Sequence, residues 1–286
     1  MSNTAYALFK PDDRRSCVVF ASPHSGRRYL PGFLERSVLD ELTLRSSEDA
    51  FVDQLFACVP EFGAPLLTAE VPRAYVDLNR SPDELDPALI QGVRRSGHNP
   101  RIASGLGVIP RVVANGRAIY SGKLSRIEAD ARVARYWHPY HAALQTLLNE
   151  AHRGFGQAVL IDCHSMPHEA VDGVARNAPR RPEIVLGDRF GAAAGGDIVD
   201  YVEAAFASAG LTVTRNAPFA GAYITQAYGR PSRGQHAIQI EIDRALYMDE
   251  KRVEPNANFE AFRDVLRGVI AEIAGLQAQD MPLAAE

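Results

Sequence analysis

Two periods alternate along this chain, and that alternation restricts its fold more than any other feature. Short apolar runs rich in Val and Ile, bounded by Gly, Pro or polar residues, recur between longer stretches with helical spacing. Most of these runs are continuously apolar, which suits strands covered on both faces, and strands separated by helices make an α/β sheet. Strands are expected at residues 17–21, 65–68, 158–161, 183–186, 211–214 and 237–242. Helices are expected at 49–62, 125–150, 197–209 and 258–276. In the first helix Val52, Leu55, Phe56 and Val59 form one apolar stripe, with Ser46 or Ser47 as its cap. Residues 81–120 are rich in Pro, Gly, Asn and Arg without sustained periodicity, the composition of an irregular lid or site wall. No repeat, low-complexity tract or linker divides the chain. The expected architecture is a single three-layer αβα domain over residues 1–286, built on a mixed, mostly parallel sheet.

Composition excludes several classes of function. No run approaches the roughly 18 to 20 apolar residues of a membrane span, and the first 20 residues lack the order of a secretion signal. A cytoplasmic location without membrane attachment is therefore expected. Cys17, Cys58 and Cys163 are odd in number and widely separated, which reads as buried thiols. A net charge of −4 with no basic run disfavours a nucleic-acid partner. Only three of the 31 basic residues are lysine; arginine grips carboxylates with a planar fork, so the bias is compatible with an anionic substrate.

Four segments join a strand end to reactive side chains. In Ser22-Pro23-His24-Ser25-Gly26, His24 follows an apolar run and stands where the ligand crevice of an open α/β sheet lies. It is a candidate metal ligand or catalytic base, with a turn residue as the ordinary alternative. In Ile161-Asp162-Cys163-His164-Ser165 another apolar run ends in a histidine. Neighbouring strands lie about 4.8 Å apart, close enough for two imidazoles to share one ion. Asp162 is a candidate partner for a ligand imidazole, although strand alternation is taken to turn it away from His164. A third ligand is needed, and Glu48 and Asp49 are the nearest candidates; acidic residues also favour the first turn of any helix.

In Val76-Asp77-Leu78-Asn79-Arg80, an amide and a guanidinium stand together and can supply donors to a carboxylate. In His236-Ala237-Ile238-Gln239-Ile240-Glu241-Ile242, alternation puts Gln239 and Glu241 on one face and three isoleucines on the other. A wet edge strand has this pattern, and so does a central strand that offers a general base to a crevice.

Taken in order, these segments resemble the N-formylglutamate amidohydrolase family, a relative of the zinc carboxypeptidases and aspartoacylase. The similarity covers residues 22–26, 47–53, 76–80, 139–141, 161–165 and 239–248. It implies one Zn2+ per chain, with His24 and His164 as ligands, Asn79 and Arg80 on a substrate carboxylate, and Glu241 as the catalytic carboxylate. The related enzymes take an acidic ligand from His-x-x-Glu, but position 27 is Arg here; the resemblance of Ser47-Glu48-Asp49 to an Asp-containing segment at the same place in formylglutamate hydrolases implies Asp49 instead, with Glu48 in reserve. Arg73, Arg230, Arg233 and His236 lie close in sequence and are candidates to complete the carboxylate pocket. His141 is expected to pack beside Trp137 as a structural histidine, in a helix that Pro139 kinks or restarts. The implied reaction is hydrolysis of N-formyl-L-glutamate to formate and glutamate, as in histidine degradation. Its rivals are a deacylase or carboxypeptidase-like enzyme acting on another small anionic N-acyl amino acid or short peptide, and a carboxylate-binding protein without turnover. Oligomeric state is not legible in one sequence.

Overall fold

The computed structural model, which describes residues 4–94, 99–113, 116–176 and 180–276, gathers the apolar runs into one mixed sheet. Its strands are β1 (Tyr6–Phe9), β2 (Val18–Ser22), β3 (Leu66–Ala69), β4 (Ala158–Met166), β5 (Ile184–Gly187), β6 (Val213–Arg215) and β7 (Gln235–Asp243). Their order is β1-β3-β2-β4-β7-β5-β6. Pairing is antiparallel only at β1·β3 and β5·β7, so the centre of the sheet is parallel. Helices cover both faces, as a buried parallel sheet requires.

The centre is where the chemistry is placed. β4 and β7 run in register, with Asp162 opposite Gln239 and His164 opposite Glu241. On one face Val159, Ile161 and Cys163 of β4 join Ile238, Ile240 and Ile242 of β7 in a core shared with helices Gly196–Ser208 and Phe259–Ala274. The other face starts apolar, with Ala158, Leu160 and Ala237 packed against helix His138–Phe155. It then becomes polar toward the carboxyl ends, with Asp162, His164, Gln239 and Glu241 all buried. A period of two is what allows one strand to carry an unbroken core stripe and a half-polar stripe together.

Several expected elements differ from those observed. Residues 49–62 do not form one helix: Val52–Leu55 is a single α turn and Val59–Phe62 a 3₁₀ turn. Phe51 stands at φ 66°, in the left-handed region, and the Asp49 N–H donates to the His24 carbonyl at 3.0 Å, so Asp49 is held outside any helix. The apolar stripe located the core, since Val52, Leu55, Phe56 and Val59 are all buried there, but not the helix. Ser46 and Ser47 bond back to Thr43 and Leu44; the residue that caps a helix here is Asp40, which accepts from the Thr43 N–H. β1 was not expected; its run Tyr6-Ala7-Leu8-Phe9 is apolar, but it forms a short antiparallel edge strand that is only partly buried. β4 continues past the expected end at 161 to Met166, and this extension carries His164.

Pro139 enters a continuous helical stretch. It is preceded by a π turn, Val133–Trp137, in which the His138 N–H bonds to the Val133 carbonyl. That wider turn accommodates a residue with no N–H of its own. Residues 95–98 and 114–115 of the expected excursion lie outside the described residues. Its described part contains one helical turn, Pro100–Ala103, and isolated bridges that tie Ile90 to Leu124 and Val112 to Ala118. The three cysteines are free thiols, with Cys17 and Cys163 buried and Cys58 partly so. Among the described residues, no helix is long and apolar enough to cross a membrane.

Candidate metal and catalytic site

His24 leaves the end of β2 in a turn that only glycine can complete: a Cβ on Gly26 would stand 2.2 Å from the Val71 carbonyl oxygen. His164 projects from β4 beside it, the two imidazole centroids 4.8 Å apart. Asp49 lies between them. Its Oδ2 is 2.8 Å from His164 Nδ1 and 3.4 Å from His24 Nδ1, and the three potential ligand atoms lie within 4.8 Å of one another. Glu48 faces elsewhere, accepting from the Tyr29 hydroxyl at 2.6 Å and facing Arg45.

The far nitrogens of both rings are occupied by carboxylates. His24 Nε2 meets Asp77 Oδ1 at 2.8 Å, and His164 Nε2 meets Asp162 Oδ2 at 3.0 Å. A carboxylate accepts, so His24 carries its proton on Nε2 and turns an Nδ1 lone pair toward the Asp49 carboxylate, itself an acceptor, whereas His164 Nε2 also stands 3.1 Å from the Asn79 amide nitrogen. Acceptors converging in a buried space require a cation or a proton among them. The donor set of two imidazoles and a carboxylate suits a divalent metal, and the buried His24 Nδ1 has no hydrogen-bond partner. Burial would lower the pKa of His164, but Asp162 and Asp49 hold it well above its ordinary value. Burial would likewise raise Asp49, yet the neighbouring His164 and His24 hold it well below the carboxylate range. The expectation that alternation turns Asp162 away from His164 is wrong, because residues two apart on a strand share a face.

Glu241 sits opposite His164 in the adjoining strand, on the same face and in the same cleft of about 750 Å³. Burial pushes its carboxyl up to about 7, with Asp49 adding to the shift and His164, Arg73 and Arg244 opposing it. Gln239 donates to Glu241 Oε1 at 2.8 Å and accepts from the Ala222 N–H, which fixes the carboxyl against the loop 218–222. A buried carboxyl poised near neutrality is suited to both taking and returning a proton.

Arginines line the cleft beside this carboxyl group. Arg73, Arg80, Arg101 and Arg244 all reach it, as does Asn79. Arg73 bonds through Nε to Asp77 Oδ2 at 2.9 Å, and Arg80 through Nε to the Leu106 carbonyl at 3.1 Å. Asn79 accepts from the Ile224 N–H at 2.7 Å and donates to Asp162 Oδ2 at 3.2 Å. Asp77 therefore serves His24, Arg73 and the Asn79 N–H together, and its charge is held well below the usual carboxylate range by Arg73, His24 and Arg80 in spite of burial. Its role was missed in the sequence, although two flanking polar residues marked the segment. Arg244 was missed as well: it donates to Asp49 Oδ1 at 3.0 Å and to Ser165 Oγ at 3.1 Å, steadying the carboxylate between the histidines. An arginine directly after β7 was the available signal.

His236 does not reach the cleft, which corrects its expected place in the substrate pocket. It lies opposite Val159 near the start of β7, and its Nδ1 accepts from the Gly195 N–H at 3.0 Å. Five residues of extended strand separate it from Glu241 by about 16 Å, so nearness in sequence is distance in space. Arg230 and Arg233 also fall outside the cleft lining. His141 stacks on Trp137 with ring centroids 3.9 Å apart, the structural packing expected of it.

The model of the N-formylglutamate amidohydrolase family matches residues 16–248. An N-formylglutamate deformylase of Pseudomonas aeruginosa is 30% identical over 264 residues, 90% of each chain. One from Pseudomonas putida is 29% identical over 240 residues, 82% of each chain. Among solved structures, an N-formylglutamate amidohydrolase of Ralstonia eutropha superimposes with a TM-score of 0.87 at 36% identity, covering 94% of this chain and 96% of its own. A gene product of Agrobacterium tumefaciens shares the fold, with a TM-score of 0.64 at 18% identity over 94% of each chain.

Proposed function

The chain belongs to the N-formylglutamate amidohydrolase family, a family of hydrolytic enzymes, and from that premise we propose that it hydrolyses N-formyl-L-glutamate to formate and L-glutamate with one zinc ion per chain. The observation that carries this reading is the pairing of Glu241 with His164 across β4 and β7, which sets a carboxyl of pKa about 7 beside the buried His24, Asp49 and His164 group. These three residues would hold the ion through His24 Nδ1, Asp49 Oδ2 and His164 Nδ1. When bound, it supplies Lewis acidity to the scissile carbonyl and to the attacking water.

The remaining work falls to the chain itself. Glu241 takes a proton from the attacking water as the new C–O bond forms, then returns it to the amide nitrogen as the C–N bond breaks. Gln239 keeps its carboxyl aimed during both transfers. Arg80 and Asn79 hold a substrate carboxylate, and Arg73, tethered by Asp77, stands ready for the same charge. The whole chain acts as one catalytic domain in which part of residues 81–120 forms the substrate-side wall, and the reaction belongs to histidine degradation in the cytoplasm.

The test compares formate or acyl release from N-formylglutamate, N-acetylaspartate and short peptides by zinc-loaded protein. N-formylglutamate should be turned over fastest. Preference for either of the others would reassign the acyl group while leaving the fold and family untouched.

A further inference from the structure

The main chain at Leu78-Asn79-Arg80 is irregular, yet each of its three carbonyls is held by a side-chain donor. His141 Nε2 donates to the Leu78 carbonyl at 2.8 Å, Arg80 Nη1 to that of Asn79 at 3.0 Å, and Trp137 Nε1 to that of Arg80 at 2.9 Å. Trp137 and His141 are four residues apart at the start of the long helix, so they emerge on one side of it. A carbonyl only accepts, which places the imidazole proton of His141 on Nε2; its Nδ1 then accepts from the Tyr228 hydroxyl at 2.8 Å. Both rings are buried, and the Pro-Tyr-His segment that contains His141 has no part in the proposed chemistry.

We propose that Trp137 and His141 are positioning residues for substrate binding, clamping the carbonyls on either side of Asn79 so that Asn79 and Arg80 face the cleft. The π turn Val133–Trp137 leads directly into this clamp, the kind of local irregularity often found beside functional sites. Burial pushes the His141 pKa down to about 4, so the imidazole stays neutral and keeps one tautomer at ordinary pH. The inference rests on the proposed role of Arg80 as a carboxylate contact.

Trp137→Phe keeps an aromatic ring over His141 and removes only the N–H. With N-formylglutamate as substrate, KM should rise about five- to tenfold while kcat stays within about twofold, since the loss falls on binding common to ground and transition states. Metal content should match the wild type. In an Arg80→Ala background the same substitution should raise KM by less than it does in the wild type, because one of the two contacts it supports is already gone; a merely structural role predicts full additivity. His141→Phe should behave likewise, and His141→Gln, which can still donate to Leu78, should recover part of the loss. A folded Trp137→Phe protein with wild-type KM, or a full additive effect on Arg80→Ala, overturns the proposal. Titration of each variant with L-glutamate separates this failure from failure of the proposed reaction. Weakened glutamate binding in both Arg80→Ala and Trp137→Phe supports the clamp even if another acyl group is the true substrate, whereas unchanged binding in Trp137→Phe sinks it.

Discussion

The two faces of β4 and β7 share one backbone and one register, yet they do opposite things. The face of Val159, Ile161, Cys163, Ile238, Ile240 and Ile242 is apolar along its whole length and is closed by two helices. The opposite face is apolar only in its first half; its second half carries Asp162, His164, Gln239 and Glu241, each tied to another polar group. Burying charge is costly unless it is paired, so the polar half exists only because neighbouring elements bring partners to it. The comparison teaches that stability and chemistry are divided here by side of strand. Substitutions on the two faces should therefore fail in different ways.

The largest effect is expected from His164→Ala or His24→Ala. Each removes one of three converging ligands, and metal content should fall from about one per chain toward zero, with activity lost along with it. Metal analysis of purified protein reads this directly. Full occupancy in either variant would remove that histidine from the site.

Glu241→Gln should lower turnover by about 10²-fold or more, because the amide keeps size and hydrogen bonding but cannot take a proton. Zinc content should hardly change. Near-normal turnover in a folded, zinc-loaded variant would falsify the assigned role.

On the other face, Ile240→Ala should do the reverse. The lost methyl groups and the cavity left behind cost about 2–5 kcal/mol of stability, while turnover per folded molecule stays near wild type at a temperature where the variant remains folded. Denaturant unfolding and activity on one preparation measure both. A large drop in turnover with unchanged stability would mean that the two faces are not separable.

The smallest effect is a pH dependence in metal-free protein. The folded pKa of Glu241, about 7, lies above the ordinary value of 4.5, so the native state binds this proton more tightly than the unfolded chain does. Stability from this group is therefore greatest below pH 4.5 and is lost as pH rises through about 7, by at most roughly 3 kcal/mol at about 1.4 kcal/mol per unit. Glu241→Gln should lack this component. Unfolding measured at several pH values across that window should show the variant gaining on the wild type as pH rises; parallel curves would place Glu241 in a more solvated setting.

Local pattern was enough to bring His24, His164, Asn79, Arg80 and Glu241 into view, because each follows or interrupts an apolar run and strand ends in an α/β sheet collect at one crevice. It was also enough for most of the sheet, since six of its seven strands fall on runs read as strands and only the edge strand β1 was not anticipated. Pattern failed where a residue's role depends on an element far away in the chain. His236 looked close to Glu241 and is a strand length away, whereas Asp77 reaches His24 across 53 residues and Arg244 reaches Asp49 across 195.

The sequence by itself determined which side chains are reactive and which face of each strand they occupy, because a period of two is a local property of extended backbone. Only the tertiary structure shows that Asp49, and not Glu48, lies between the two imidazoles. Adjacent carboxylates have the same composition, charge and helical context, and their difference lies in what each meets: Asp49 is turned between two imidazoles by the left-handed Phe51 and the guanidinium of Arg244, and Glu48 is drawn off by Tyr29 and Arg45. Those partners are brought together by chain closure over long separations, and no local pattern in the sequence records that closure.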